Sequence, residues 1–212
     1  MSTAIGLPDD VAARLAAAMG ADAVLSAEDA NGTPSVDVPR ELWASALLAA
    51  RDALGLDMID WLSAVDEPAA EPAGVDVVTH LVDSRSGGGA AVQSGGLVRL
   101  LLRTRLPADD LAVASATAVW PGAAWHERET HEMFGVEFTG FYDGTGMGLR
   151  PLLLPDGFEG TPLRKSFVLA ARASKPWPGA KEPGESDTHA SPSRRRLLPP
   201  GVPDPSWGPR DA

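Results

Sequence analysis

Residues 125–138 read WHERETHEMFGVEF, a run of histidines and glutamates around a single arginine. Pro121 stands where a helix would begin and Gly135 where it would end, so the run is predicted to be helical. A zinc protease of the H-E-x-x-H kind needs its histidines four apart, which turns a helix by about 400° and returns both imidazoles to one face. His126 and His131 are five apart. That spacing rotates the rings by roughly 140° from each other, so they diverge and cannot share an ion. The remaining histidines, His80 and His189, have no neighbouring ligand pattern. Zinc chemistry is therefore not what this helix is for.

What the helix does carry is charge. Glu127 and His131 are four apart, as are Arg128 and Glu132, a spacing that lines a helix surface with charged pairs. The consecutive charges Glu127, Arg128 and Glu129 cover about 200° of the circumference, so at least one faces inward and wants a countercharge. The downstream run LRPLLLPDGFEGTPLRKSF, residues 149–167, supplies Arg150, Arg164 and Lys165 among apolar anchors and turns at Pro155 and Gly160. Those cations are the expected partners.

Upstream, three strands are predicted at 58–66 (MIDWLSAVD), 75–82 (VDVVTHLV) and 97–106 (LVRLLLRTRL), and adjacent strands of this kind form a meander. In the third, Val98, Leu100 and Leu102 alternate with Arg99, Leu101, Arg103 and Arg105. One face then meets a core and the other holds a row of guanidinium groups, either solvated or docking an acidic partner. The loop containing GGGAAVQSGG lacks the Walker lysine and hydroxyl, so it is a flexible hairpin loop and not a phosphate cradle. Before the strands, RELWASALLAARDALG (40–55) is a helix with Trp43, Leu47, Ala50 and Leu54 on one face, ended by Gly55. A shorter helix capped by Asp9 or Asp10 runs to Met19 and stops at Gly20, and AEDANGTPSVDVP (27–39) is a turn-rich connection. The stretch ADDLAVASATAVW, 108–120, is marked only by its small residues.

The chain has 212 residues, a net charge of −11 and no cysteine. The acidity argues against nucleic-acid binding. The missing thiols exclude disulfides, thiolate metal sites, iron–sulfur ligation by cysteine and a cysteine nucleophile. The N-terminus lacks the layout of a secretory signal, and the densest apolar patch is broken by Arg99, Arg103 and Arg105, so direct membrane insertion is not expected. From residue 171 onward, nine of the nineteen prolines occur with few apolar residues, which predicts a disordered segment or an extended arm anchored on another protein by Trp177, Trp207 and the RRRLLPP run.

Together, AVWPGAAWHERETHEMFGVEFTG and LRPLLLPDGFEGTPLRKSF resemble the C subunit, the 30-kilodalton subunit, of respiratory NADH:quinone oxidoreductase (complex I). The family pattern is a tryptophan, E-R-E, an acidic residue, an apolar pair and glycine, then a leucine–arginine element, LLP, an E-G turn and PLRK. The resemblance covers roughly residues 35–170, and DMIDWLSAVD stands where the family has a strand ending in aspartate. Phe141 and Tyr142 replace the family's usual histidine and proline, and DGTGMG reads as a short insertion before Leu149.

The resemblance implies an α+β fold with a mixed β-sheet packed by helices. It also implies a lead-in over 1–34, a domain like the 30-kilodalton subunit over 35–170 and a Pro-rich tail over 171–212. It implies a non-catalytic, structural role in the peripheral arm of a bacterial complex, on the cytoplasmic side of the plasma membrane. Flavin (FMN), iron–sulfur clusters and quinone would belong to partner subunits, chiefly the D subunit and also the B and I subunits. The residues expected at the interface are Glu127, Arg128, Glu129, Glu132, Phe134 and Gly135 on the helix, with Arg150, Leu163, Arg164 and Lys165 downstream. Related membrane-bound hydrogenases and other ion-pumping complexes use a similar subunit. A free-standing hydrolase with Glu127 or Glu129 as base beside His126 or His131 is the alternative of another class, and nothing supplies its nucleophile.

Overall fold

The computed structural model describes residues 8–87 and 98–168. The chain divides into two compact units, 1–168 and 169–212, and the described residues all belong to the first. The hairpin loop expected around 88–97, the tail expected from 171 and His189 lie outside the described residues.

A five-stranded mixed sheet forms the centre. Its strands are β1 (Ser26–Asp29), β2 (Pro34–Asp37), β3 (Met58–Glu67), β4 (Gly74–Val82) and β5 (Arg99–Pro107), in the order β1-β2-β5-β4-β3. The expected meander is present: β3 pairs antiparallel with β4, and β4 with β5. The turn-rich reading of 27–39 is corrected, because this stretch holds a hairpin whose second strand lies parallel to β5 in the body of the sheet. Asn31 (φ 55°) and Gly32 (φ 81°) both adopt left-handed backbone. Their neighbours close the turn with Ala30 N–H donating to the Thr33 carbonyl at 2.8 Å and the reverse bond at 3.2 Å. An Asn-Gly pair between two short runs is the strongest local hairpin signal, since only such residues take two left-handed positions cheaply.

Alternation decides which face is covered. Leu62 and Ala64, Val75, Val77 and Leu81, and Leu100, Leu102 and Leu106 are buried in one core. Three helices contribute to that core: α1 (Pro8–Met19) through Val11 and Leu15, α2 (Trp43–Asp52) through Trp43 and Leu47, and α3 (Ala123–Phe134) through Ala123 and Phe134. Helix α1 begins at Pro8, so Asp9 and Asp10 sit in its first turn and do not cap it. Proline at a first helical position loses no hydrogen bond and arrives with φ already set. Helix α1 and β1 fall in the segment expected as a lead-in, and both join the core and sheet of this unit.

On the other sheet face, the arginines of β5 find carboxylates on neighbouring strands. Arg103 reaches Asp37 (2.6 and 2.9 Å) and Glu28 (2.8 Å), and Arg105 pairs with Asp76. Burial pushes the Asp37 carboxyl up, but hydrogen bonds from Arg103 and Ser26 outweigh it and hold the group below its ordinary range. Docking of an acidic partner on Arg103 and Arg105 is thereby corrected: the acids that meet them are cross-strand neighbours in this chain.

A second, parallel pair of strands, β6 (Ala112–Ala114) and β7 (Glu137–Thr139), brackets α3 in sequence. Strand β6 lies within the small-residue stretch. The loop after it, Ser115–Thr117, meets the buried Glu127 of α3 and receives the Tyr142 N–H from the loop after β7.

Candidate functional site

Helix α3 ends at Gly135, whose φ of 79° is left-handed and whose N–H donates to the His131 carbonyl at 2.8 Å. A side chain there would meet Thr161 Cγ2 at 3.2 Å, so glycine serves both the cap and the close passage of the downstream chain. That downstream chain, residues 149–165, is a strap laid along α3.

The strap has almost no regular structure, so its backbone groups must be satisfied from outside, and α3 does this with charged side chains. Arg128, 7% exposed, donates from Nε to the Arg150 carbonyl at 3.1 Å and from Nη2 to the Pro151 carbonyl at 2.7 Å. Its guanidinium also lies 5.3 Å from the Trp125 ring centroid. One turn on, the Glu132 carboxylate accepts N–H groups from Leu152, Leu153 and Leu154 at 3.1, 2.8 and 2.8 Å. Burial pushes that carboxyl up, but the backbone donors prevail and hold it below its ordinary range. Leu163 N–H closes the strap onto the Met133 carbonyl at 3.1 Å. A cavity of about 350 Å³ remains between helix and strap, lined by His131, Glu132, Leu149, Leu154, Phe158 and Thr161 among others.

The inward-facing charge expected of the E-R-E run is Glu127, fully buried, with Arg128 nearly so and Glu129 exposed. The expected countercharges are corrected. Glu127 accepts from Ser115 Oγ (2.6 Å) and Ala116 N–H (2.5 Å), and neither Arg164 nor Lys165 reaches Glu127, Glu129 or Glu132 among the described ion pairs. Arg164 instead lies 3.1 Å from Asp66 on β3, a carboxylate 5% exposed whose other oxygen accepts Lys165 N–H at 2.6 Å. Arg150 pairs with Asp143, which Thr145 and Arg150 hold well below the usual carboxylate range. The helix-surface pairs expected at 127/131 and 128/132 also give way, because backbone groups in need of partners lie closer. Phe134 belongs to the core, while Leu163 and Lys165 are exposed.

His126 and His131 do not converge with Glu127. His131 Nδ1 lies 2.9 Å from the Val136 carbonyl and 3.4 Å from Glu137, the Glu127 carboxyl is closed off by its two donors and Glu129 is exposed, so among the described ion pairs neither histidine meets Glu127 or Glu129 as the hydrolase alternative requires. Among the described residues, no group of three or more His, Asp or Glu side chains could hold a metal ion. Also among them, no helix is long and apolar enough to cross a membrane. Asp66, Ser115 and Thr117 were not anticipated as partners. Asp66 did have a signal, as the aspartate that ends its strand motif, but its partner is 98 residues away in the chain.

Beside the exposed charges Asp156, Glu159 and Lys165, the helix and strap leave large apolar side chains outside. Trp125 (62% exposed), Leu153 (60%) and Leu163 (54%) stand out from the helix and strap, with Phe158 and Val168 also exposed.

The model of the family described as "Respiratory-chain NADH dehydrogenase, 30 Kd subunit" matches residues 36–173. The C subunit of NADH-quinone oxidoreductase from Roseiflexus sp. (strain RS-1) is 35% identical over 162 residues, covering 74% of this chain and 82% of that protein. The same subunit from Thiobacillus denitrificans is 34% identical over 171 residues, covering 76% and 77%. A chain of the membrane-bound sulfane sulfur reductase, an archaeal respiratory membrane complex, shares the fold with a TM-score of 0.57 at 20% identity, covering 76% of this chain and 86% of that one. With a family match across the whole helix-and-strap unit, this chain belongs to the family of the 30 Kd subunit of the respiratory-chain NADH dehydrogenase, which is the C subunit of NADH-quinone oxidoreductase.

Proposed function

We propose that this chain is a structural subunit of the peripheral arm of an NADH:quinone oxidoreductase, with no active site of its own, and that the strap is its docking element. The observation that carries the reading is the use to which α3 puts its charges. Arg128 and Glu132 hold an irregular backbone in place, and that backbone displays Leu153 and Leu163 beside Trp125. Preordering an apolar segment before it meets a partner lowers the entropy cost of association, and exposed aromatic and aliphatic anchors are what such a contact uses. The D subunit is the main partner in this reading, with the B and I subunits adjoining. FMN, iron–sulfur clusters and quinone are held by partner subunits, which suits a chain with no cysteine. The chain then sits peripherally on the cytoplasmic side of the membrane through those subunits.

The test is co-purification from source membranes of the tagged chain carrying Leu153→Asp and Leu163→Asp. The expected result is loss of companion subunits with the isolated chain's melting temperature unchanged, since both side chains already face solvent. Unchanged recovery of the same companions would overturn the docking assignment. Recovery of wild-type chain with hydrogenase or other non-NADH-oxidising subunits would overturn the choice of assembly.

A further inference from the structure

Glu127 is fully buried, yet the strap makes no use of it. Its carboxyl closes a chain of hydrogen bonds that leaves α3 in another direction. Ser115 Oγ lies 2.6 Å from Glu127 Oε2 and 2.7 Å from Thr117 Oγ1, and Thr117 Oγ1 accepts the Tyr142 N–H at 3.2 Å. Tyr142 opens the segment that carries Asp143 and runs on to Arg150, where the strap begins. One buried carboxyl is thus linked through two hydroxyls to the backbone at the root of that segment.

We propose that Glu127 is a proton-controlled anchor: protonated, it closes the hydroxyl chain from α3 to Tyr142, and ionised, it loosens that chain and the segment from 142 to 150. With the proton on, the Glu127 O–H donates to Ser115 Oγ, which also accepts the Thr117 N–H at 3.1 Å, Ser115 donates to Thr117 Oγ1, and no charge is buried. With the proton lost, Ser115 must turn its hydroxyl to the carboxylate, and a buried charge is left with one hydroxyl and one backbone N–H. Water entering to solvate it must part α3 from the 115–117 loop, which is what holds the Tyr142 amide.

The surrounding charges do not relieve it. On α3 itself, Arg128 is turned to the strap carbonyls, His131 to the Val136 carbonyl and Glu137, and Glu129 to solvent. From β3, against which α3 packs, Asp66 is paired with Arg164, and from the 142–150 segment Asp143 is paired with Arg150. Desolvation accordingly dominates and pushes the Glu127 carboxyl up to about 7, against the bonds from Ser115 and Ala116.

The experiment is NMR on the full chain with ¹³C-labelled glutamate carboxyls and amide exchange, from about pH 5.5 to 8.5, a span that brackets the proton loss. One carboxyl should titrate near neutrality and be missing in Glu127→Gln. The protection factors of the Tyr142 and Thr117 amides should fall at least about ten-fold across that range in the wild type and stay within about two-fold in Glu127→Gln. A second variant, Ser115→Ala, keeps the carboxyl but cuts the chain; there the carboxyl still titrates near or above neutrality, while the Tyr142 amide loses its pH dependence. The proposal is overturned if every glutamate titrates in the ordinary acidic range, or if Tyr142 protection follows pH identically in wild type and both variants.

Discussion

Arg164→Ala distinguishes a residue that holds its own domain together from one that reaches across to a neighbour. Its partner, Asp66, is 5% exposed, and the Arg164 side chain is 18% exposed. Arg164 meets Asp66 Oδ1 as an ion pair without a hydrogen bond, so truncating it removes the countercharge and leaves the Lys165 N–H as the donor Asp66 already had. An exposed ion pair is worth under about 1 kcal/mol, whereas stranding one partner of a buried pair costs about 3 to 5 kcal/mol. Two features place this case at the lower end. Lys165 N–H keeps one oxygen satisfied, and Arg164 Nη1 is itself buried without a hydrogen-bond partner, a cost that the truncation removes. A loss of about 3 kcal/mol is the result, which at about 2 to 4 °C per kcal/mol for a unit of this size lowers Tm by roughly 6 to 12 °C.

Equilibrium urea unfolding of the isolated chain measures this, in a cycle with Asp66→Asn and the double variant. The coupling energy should be about 2 kcal/mol, with the double variant more stable than the sum of the single losses implies. Were the countercharge on another subunit, as the interface role implied for Arg164 by the resemblance would have it, the isolated chain would melt unchanged and only assembly would suffer. A cost below about 1 kcal/mol with additive single effects would refute the pairing.

Glu127→Gln should remove a pH dependence of stability. Because the folded carboxyl is raised from 4.5 to about 7, its contribution is fully present below about pH 4.5 and is lost as pH rises through 7. At 1.36 kcal/mol per pKa unit the change is up to about 3 kcal/mol, so the difference in unfolding free energy between wild type and variant should move by that order from pH 5 to 8; a constant difference counts against the buried carboxyl. Gly135→Ala, which forces a left-handed alanine against Thr161, should cost about 1 to 2 kcal/mol in thermal or urea unfolding. Arg128→Ala strips two strap carbonyls of a buried charged donor, so it should cost about 2 to 3 kcal/mol and speed proteolytic cutting between residues 149 and 155, read by mass spectrometry; unchanged cutting would show that the strap holds itself.

How much of this was legible in the sequence depends on the distance over which each feature is decided. The β3-β4-β5 meander and α2 were readable because period and punctuation are local: Val75, Val77 and Leu81 are spaced for one face, and Gly55 ends its helix where the pattern stops. The β1-β2 hairpin was equally local and was still missed, because the same Asn-Gly pair that licenses a hairpin also reads as a loop when the strands around it are only four residues long. The α3 charges show the other limit. Spacing on a helical wheel established that a charge must turn inward, and Glu127 does. It could not choose the partner, because a helix wheel compares positions on one helix while the donors come from other elements. Spacing at 127/131 and 128/132 favoured pairs within the helix, worth only about 0.2 to 0.5 kcal/mol each. Three consecutive N–H groups at 152–154 and two carbonyls at 150–151 prevail over those pairs, since each would otherwise be a strap backbone group without a partner. The motif is therefore best understood as a backbone-holding device: its acid and its base are chosen for a chain segment that has no sheet or helix to satisfy it, and the same need explains why both residues point at the strap and leave Trp125 and Leu153 exposed.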